Sequence, residues 1–220
     1  MSLAAQRRQR VLDTIANAAG LARRDPADVQ LIAVSKGRPP EEIEPLIEAG
    51  QRDFGESRVQ EAAAKWLPLL DRYPDVRLHG IGRLQSNKAD EAVQLFETIH
   101  SLDRASLLDA LVSAAGKSDR RPSLYLQVNI GEEDQKGGCA VAELGGLLAT
   151  ARASLLRVAG LMCIPPLGLE PAPFFALLAK IARRHDVIGL SMGMSSDYRQ
   201  AVMLGATAVR VGTALFEDDA

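Results

Sequence analysis

Lys36 closes the run Leu31-Ile32-Ala33-Val34-Ser35-Lys36-Gly37, and it is the residue of this chain best placed to do chemistry. A short apolar segment rich in branched residues reads as a buried strand, here one that ends in a cation and a glycine at the mouth of a cleft. Burial at a strand end would desolvate the ammonium and favour the neutral amine. A neutral amine attacks an aldehyde to form a Schiff base. The plainer reading is a surface lysine that merely ends a strand.

Two glycine- and hydroxyl-rich segments near the C-terminus form the next candidate. Ser191-Met192-Gly193-Met194-Ser195-Ser196-Asp197 and Arg210-Val211-Gly212-Thr213 each follow an apolar run and precede a helix start. Backbone N–H groups at such a start suit a dianion such as phosphate. Turn chemistry alone also places Ser and Gly together. Arg210 lies inside the apolar strand Ala206–Gly212, so it needs a partner: a structural ion pair, a ligand ring nitrogen or a phosphate. His79 opens the segment His79-Gly80-Ile81-Gly82-Arg83-Leu84-Gln85-Ser86-Asn87-Lys88, and a lone histidine there reads first as a packed core residue rather than a metal ligand or base.

The elements that would position these residues alternate along the chain. An opening helix over about Leu3–Ala19 precedes apolar runs near 31–35, 53–55, 77–82, 97–102, 123–130, 155–162, 187–191 and 207–211. Helical spacing lies between them, in Ile43, Leu46 and Ile47, in Leu107, Leu108 and Leu111, and in Leu144, Leu147 and Leu148. Ser57-Arg58-Val59-Gln60 reads as a capping box, and Gly205 as a helix stop. Eight strands alternating with helices predict a single α/β domain over 1–220, a (β/α)8 TIM-type barrel with an N-terminal helix. A doubly wound open sheet is the rival, but no Gly-x-Gly-x-x-Gly follows the first strand. In the barrel, the strand C-termini carry function, and the loops after strands seven and eight commonly hold phosphate. Lys36, Asn129, Met162, the serine loop and Arg210–Thr213 all fall at such ends.

Composition excludes several classes. The 220 residues carry a formal net charge of -2, with basic residues dispersed and few aromatics, so no nucleic-acid surface is expected. Cys139 and Cys163 form no close metal-ligand pair or disulfide framework. No apolar run reaches membrane-spanning length, and the N-terminus is not a signal peptide, so a reduced cytoplasm is the expected home.

Taken together, Leu31–Lys36, Ala49-Gly50-Gln51-Arg52-Asp53-Phe54-Gly55-Glu56, His79–Lys88, Leu190–Ser195 and Val209–Thr213 resemble the pyridoxal phosphate homeostasis protein family, the YggS-like proteins, whose fold is similar to the N-terminal barrel of alanine racemase. The resemblance implies pyridoxal 5′-phosphate (PLP) as a Schiff base on Lys36. It implies phosphate binding by Ser195 and Ser191 and by Gly212 and Thr213, with Arg210 facing the pyridine nitrogen and His79 counted among the cofactor-binding residues. Two positions depart from the family pattern: Ser57 stands where Asn is common, and Arg83 where Pro is common. Lys136-Gly137-Gly138 fits a family Lys-x-Gly loosely.

The function so implied is a carrier that maintains intracellular PLP, acting as a monomer or weak dimer and serving PLP-dependent apoenzymes. The enzymatic alternative is a PLP-dependent amino-acid racemase. Racemisation needs a second base opposite Lys36, which in alanine racemase is a tyrosine of a further domain. The chain ends soon after the eighth strand, and Tyr73, Tyr125 and Tyr198 lie outside the matched motifs, so racemisation is expected to be negligible.

Overall fold

The computed structural model describes residues 1–133 and 135–217. Eight parallel strands close into one barrel in chain order: β1 (Gln30–Val34), β2 (Asp53–Glu56), β3 (Arg77–Gly80), β4 (Thr98–Leu102), β5 (Ser123–Gln127), β6 (Val158–Met162), β7 (Gly189–Ser191) and β8 (Ala208–Val211). The expected (β/α)8 barrel is the observed fold. Closure comes from β8 pairing with β1, which sets Arg210 beside Ile32 and Val211 beside Ala33.

The helices form the outer ring. After α1 (Leu3–Leu21) come α2 (Pro40–Glu48), α3 (Val59–Arg72), α4 (Ala89–Leu95), α5 (Ala105–Gly116), α6 (Leu144–Ala153), α7 (Ala172–Arg184), α8 (Tyr198–Met203) and α9 (Thr213–Phe216). The predicted apolar stripes of α2, α5 and α6 are buried against the barrel wall. Each buried Leu or Ile there contributes about 1.5–3 kcal/mol by leaving water. Helix α8 stops as expected at Gly205, whose φ of +107° admits paired bonds from Gly205 N–H to Val202 O and from Ala206 N–H to Ala201 O. The chain then turns straight into β8.

Three expectations are corrected. Strands β3, β5, β6 and β7 are shorter than their apolar runs. Val128, Ile130 and Leu156 are buried outside the strands, because an apolar side chain can fill the core from a loop. Strand β5 ends at Gln127 rather than Asn129, and Asn129 instead closes the following loop through both its amide atoms and Glu133. The capping box does not form: α3 starts at Val59, its N-cap is Arg58, and no side chain caps it.

The barrel interior is unusual in its polarity. Such barrels usually fill with branched apolar side chains. Here Asp53, His79, His100, Ser191 and Arg210 are all buried. Gly160 makes room among them, because a Cβ there would lie 2.5 Å from the Tyr125 ring.

Candidate ligand-binding site

A cleft of about 590 Å³ opens at the C-terminal end of the barrel. Lys36, Arg210, Ser195, Gly212 and Thr213 line it together, as the sequence predicts. Lys36 sits on a tight turn. Arg38 N–H donates to Ser35 O at 3.1 Å, and Gly37 occupies the third position with φ +70°. That conformation favours glycine. The turn is tied to the core by Glu56, the last residue of β2. Its Oε1 accepts from Ser35 Oγ at 2.6 Å and Trp66 Nε1 at 2.8 Å, and pairs with Lys65 Nζ at 2.8 Å. Lys65 also donates to the carbonyls of Ser35 and Arg38.

The side chain of Lys36 itself is exposed at the cleft and makes no hydrogen bond or ion pair with a described residue. The expected desolvation by strand burial is therefore not met, since Lys36 lies two residues beyond β1. Any desolvation must come from the ligand that covers it.

The two C-terminal loops meet in a polar cup at the cleft. Gly212 N–H donates to Ser195 Oγ at 3.1 Å, which leaves the serine proton free to donate onward. The N–H groups of Ser195, Ser196, Thr213 and Ala214 have no acceptor among the described residues. Unpaired donors on two loops that line one cleft are the type of group that suits an anion. Ser191 is not part of the cup. It is fully buried below the cleft and engaged with Arg210 and His100.

Arg210 donates from Nη1 to Ser191 Oγ at 2.6 Å and from Nη2 to Cys163 O at 3.0 Å. Neither partner is a carboxylate, so no structural ion pair forms among the described residues. Burial pulls its pKa below the ordinary arginine value, though an arginine keeps its charge. From Ser191 a hydrogen-bonded chain runs through the barrel. His100 Nδ1 lies 2.8 Å from Ser191 Oγ, and His100 Nε2 lies 3.1 Å from His79 Nδ1. His79 Nε2 lies 3.0 Å from Asp53 Oδ1, which also accepts from Arg77.

Arginine has no acceptor, so the chain starts with Arg210 donating. Every polar hydrogen then finds an acceptor in one arrangement: Ser191 donates to His100 Nδ1, His100 Nε2–H to His79 Nδ1, and His79 Nε2–H to Asp53. Burial, then the neighbouring His79 and Arg210, push His100 well below the usual histidine range. Burial would raise Asp53, but the hydrogen bonds from His79 and Arg77 outweigh it and hold the carboxyl at about 2. His79 does not line the cleft; the hydrogen-bonded chain links it through His100 and Ser191 to Arg210, which does. His100, stacked on Tyr125 at 4.5 Å, is the residue sequence reasoning missed. Its only signal was a histidine inside the apolar run of the fourth strand.

Gln127, at the true end of β5, also lines the cleft, as do Ile81, Ile164 and Met194. Both cysteines are buried and free, and burial pushes their thiols up to about 11 for Cys139 and about 12 for Cys163. No described group of His, Cys, Asp and Glu could hold a metal ion.

The family model of the alanine racemase N-terminal domain matches residues 12–219. The chain belongs to that family. Within it, the pyridoxal phosphate homeostasis protein of Pseudomonas aeruginosa is 39% identical over 228 residues, covering 98% of this chain and 96% of the relative. PipY of Synechococcus elongatus PCC7942, solved with PLP bound, is 43% identical with a TM-score of 0.80, covering 92% of this chain and 99% of its own. The alanine racemase of Corynebacterium glutamicum is 18% identical with a TM-score of 0.64, covering 95% of this chain and 62% of its own, a likeness of fold. No helix among the described residues of this racemase-family barrel is long and apolar enough to cross a membrane.

Proposed function

We propose that this chain is one PLP-binding barrel domain that carries the cofactor as a Schiff base on Lys36 and buffers its supply to PLP-dependent apoenzymes. The observation that carries the reading is the pairing, in one cleft, of a lysine amine with donors at Ser195 and Thr213, all without partners among the described residues. PLP has a matching aldehyde and phosphate. The Lys36 amine would condense with the aldehyde and release water. Ser195, Gly212 and Thr213 would hold the phosphate, with Arg210 on the ring side. The PLP-bound neighbour and the homeostasis proteins support this assignment. Two buried free thiols suit a reducing compartment, in keeping with a cytoplasmic protein.

A carrier fits the cleft better than a racemase. Racemisation removes a proton from one face of a carbon and returns one to the other, so it needs two bases. The titratable side chains lining the cleft, among the described residues, are Lys36, Arg83 and Arg210. Tyr73, Tyr125 and Tyr198 do not line it. Arg210 also disfavours a protonated ring nitrogen, which weakens the ring as an electron sink. The test is borohydride reduction of the PLP-treated protein followed by peptide mass spectrometry. The pyridoxyl label is expected on Lys36 and absent from Lys36→Ala. A label that persists in Lys36→Ala would refute the assignment.

A further inference from the structure

Beside the cofactor cleft lies a second cavity of about 730 Å³, and its wall gathers Arg58, Arg83, Lys88 and Arg104 without a carboxylate among the described residues. These cations are dispersed in sequence, and the fold collects them. In a chain with more acidic than basic residues, such a one-signed wall is selective. Lys88 pairs with Glu91, and Arg104 pairs with Asp103 while also holding Leu84 O and Ser86 Oγ. Arg58 and Arg83 make no hydrogen bond or ion pair with a described residue. Two of the four charges are thus uncommitted.

The backbone adds to this field. The fourteen-residue helix α3 begins at the cavity, with Arg58, Val59 and Gln60 in its wall. Its N-cap side chain is an arginine, which has no acceptor, and the sequence's capping box is not formed. The N–H groups of Val59, Gln60 and Glu61 find no acceptor among the described residues. Free N–H groups, the positive end of the helix and two uncommitted guanidiniums together describe a receptor for a compact dianion.

We propose that this cavity is a second ligand site, taking the phosphate of a small phosphate monoester next to the cofactor cleft. Its volume leaves room for a body beyond the phosphate. It contains no aromatic side chain on which successive bases could stack, which disfavours an oligonucleotide. Ser57 and Arg83 line both cavities, so occupants of the two are neighbours across a shared wall. Those two residues are also where the sequence departs from the pattern of the family it resembles.

The test uses inorganic phosphate, titrated by calorimetry into the wild type, Thr213→Val and Arg58→Gln/Lys88→Gln. The wild type is expected to take two phosphates. Arg58→Gln/Lys88→Gln should lose the second with a weakening of about ten-fold or more, the scale of a charge-assisted contact, while PLP uptake and the circular dichroism spectrum stay native. Thr213→Val should lose the other phosphate only. Titrations with pyridoxine 5′-phosphate and adenosine 5′-monophosphate then distinguish a vitamer from a nucleotide source. A second phosphate held as tightly by Arg58→Gln/Lys88→Gln as by the wild type overturns the proposal. So does a wild type that binds only the Thr213-dependent phosphate, or a hexanucleotide that outcompetes both monoesters. Loss of PLP uptake in the wild type would refute the cofactor assignment and leave this measurement intact.

Discussion

Replacing His100 with phenylalanine isolates the polar chain beneath the cleft. Phenylalanine has nearly the same ring, so the stack on Tyr125 at 4.5 Å can survive. What disappears are the two ring nitrogens, bonded at 2.8 Å to Ser191 and 3.1 Å to His79. Ser191 Oγ still accepts from Arg210, but its proton loses its acceptor and His79 Nδ1 loses its donor, both in buried places. An orphaned buried group costs about 1–3 kcal/mol, so His100→Phe should lose roughly 2–6 kcal/mol. That is a large part of the roughly 5–15 kcal/mol by which domains are stable. Urea unfolding at pH 7.5 reads the loss. Ser191→Ala removes one of the two orphans, so the double variant should lose less than the sum of the singles, with a coupling of about 1 kcal/mol or more. The pH dependence gives a second reading. His100 has a folded pKa well below the 6.5 of the free side chain. Below that value the unfolded chain binds a proton that the folded chain refuses, so stability falls as pH drops, by about 1.4 kcal/mol per pH unit from this residue. His100→Phe should lose that contribution to the slope. A variant within about 1 kcal/mol of wild type, with an unchanged acid slope, would refute the directed chain.

Four further outcomes follow from the same geometry. Ser195→Ala and Thr213→Val should each weaken PLP binding about ten-fold or more, read by the absorbance of bound cofactor, and unphosphorylated pyridoxal should bind far more weakly than PLP. Asp53→Asn should remove acid sensitivity at a lower pH. Its carboxyl is held at about 2 against an ordinary 3.8, so the wild type loses this contribution as pH falls from about 4 through 2 and the variant does not. PLP-loaded protein incubated with L-amino acids in deuterated water should show no α-proton exchange near the ordinary enzymatic range of about 1–10³ s⁻¹, and exchange at such rates would favour a racemase. A DNA or RNA gel shift at physiological salt should show no complex at low-micromolar protein.

What was legible in the sequence was local. The apolar run ending in Lys36, the alternation of eight strands with helices, and the Ser195 and Gly212-Thr213 loops are patterns of neighbouring residues, and each stands where its pattern puts it. The misreadings have physical causes. Ser57-x-x-Gln60 has the letters of a capping box, but the chain places Arg58 at the cap. Lys36 was expected to be desolvated, yet two residues past the strand it stands clear of the wall. The chain from Asp53 through His79, His100 and Ser191 to Arg210 draws on β2, β3, β4, β7 and β8. Its existence depends on inter-strand register and barrel closure, which no single segment encodes. The same holds for the cationic cavity, assembled from Arg58, Arg83, Lys88 and Arg104.

Glu56 bears on how the protein could take up and give back a cargo. By gathering Ser35, Lys65 and Trp66 onto one oxygen, it fixes the backbone beneath Lys36 as the barrel folds. Immobilising backbone takes about 1–2 kcal/mol per residue, so a loose Ser35–Arg38 turn would set roughly 4–8 kcal/mol against every loading event. Here that ordering belongs to folding. Only the aliphatic stem of Lys36 remains to be stilled, about 1.5–2 kcal/mol. Loaded and empty forms can therefore share one backbone, and exchange of the cargo needs a side chain to swing rather than a loop to rebuild.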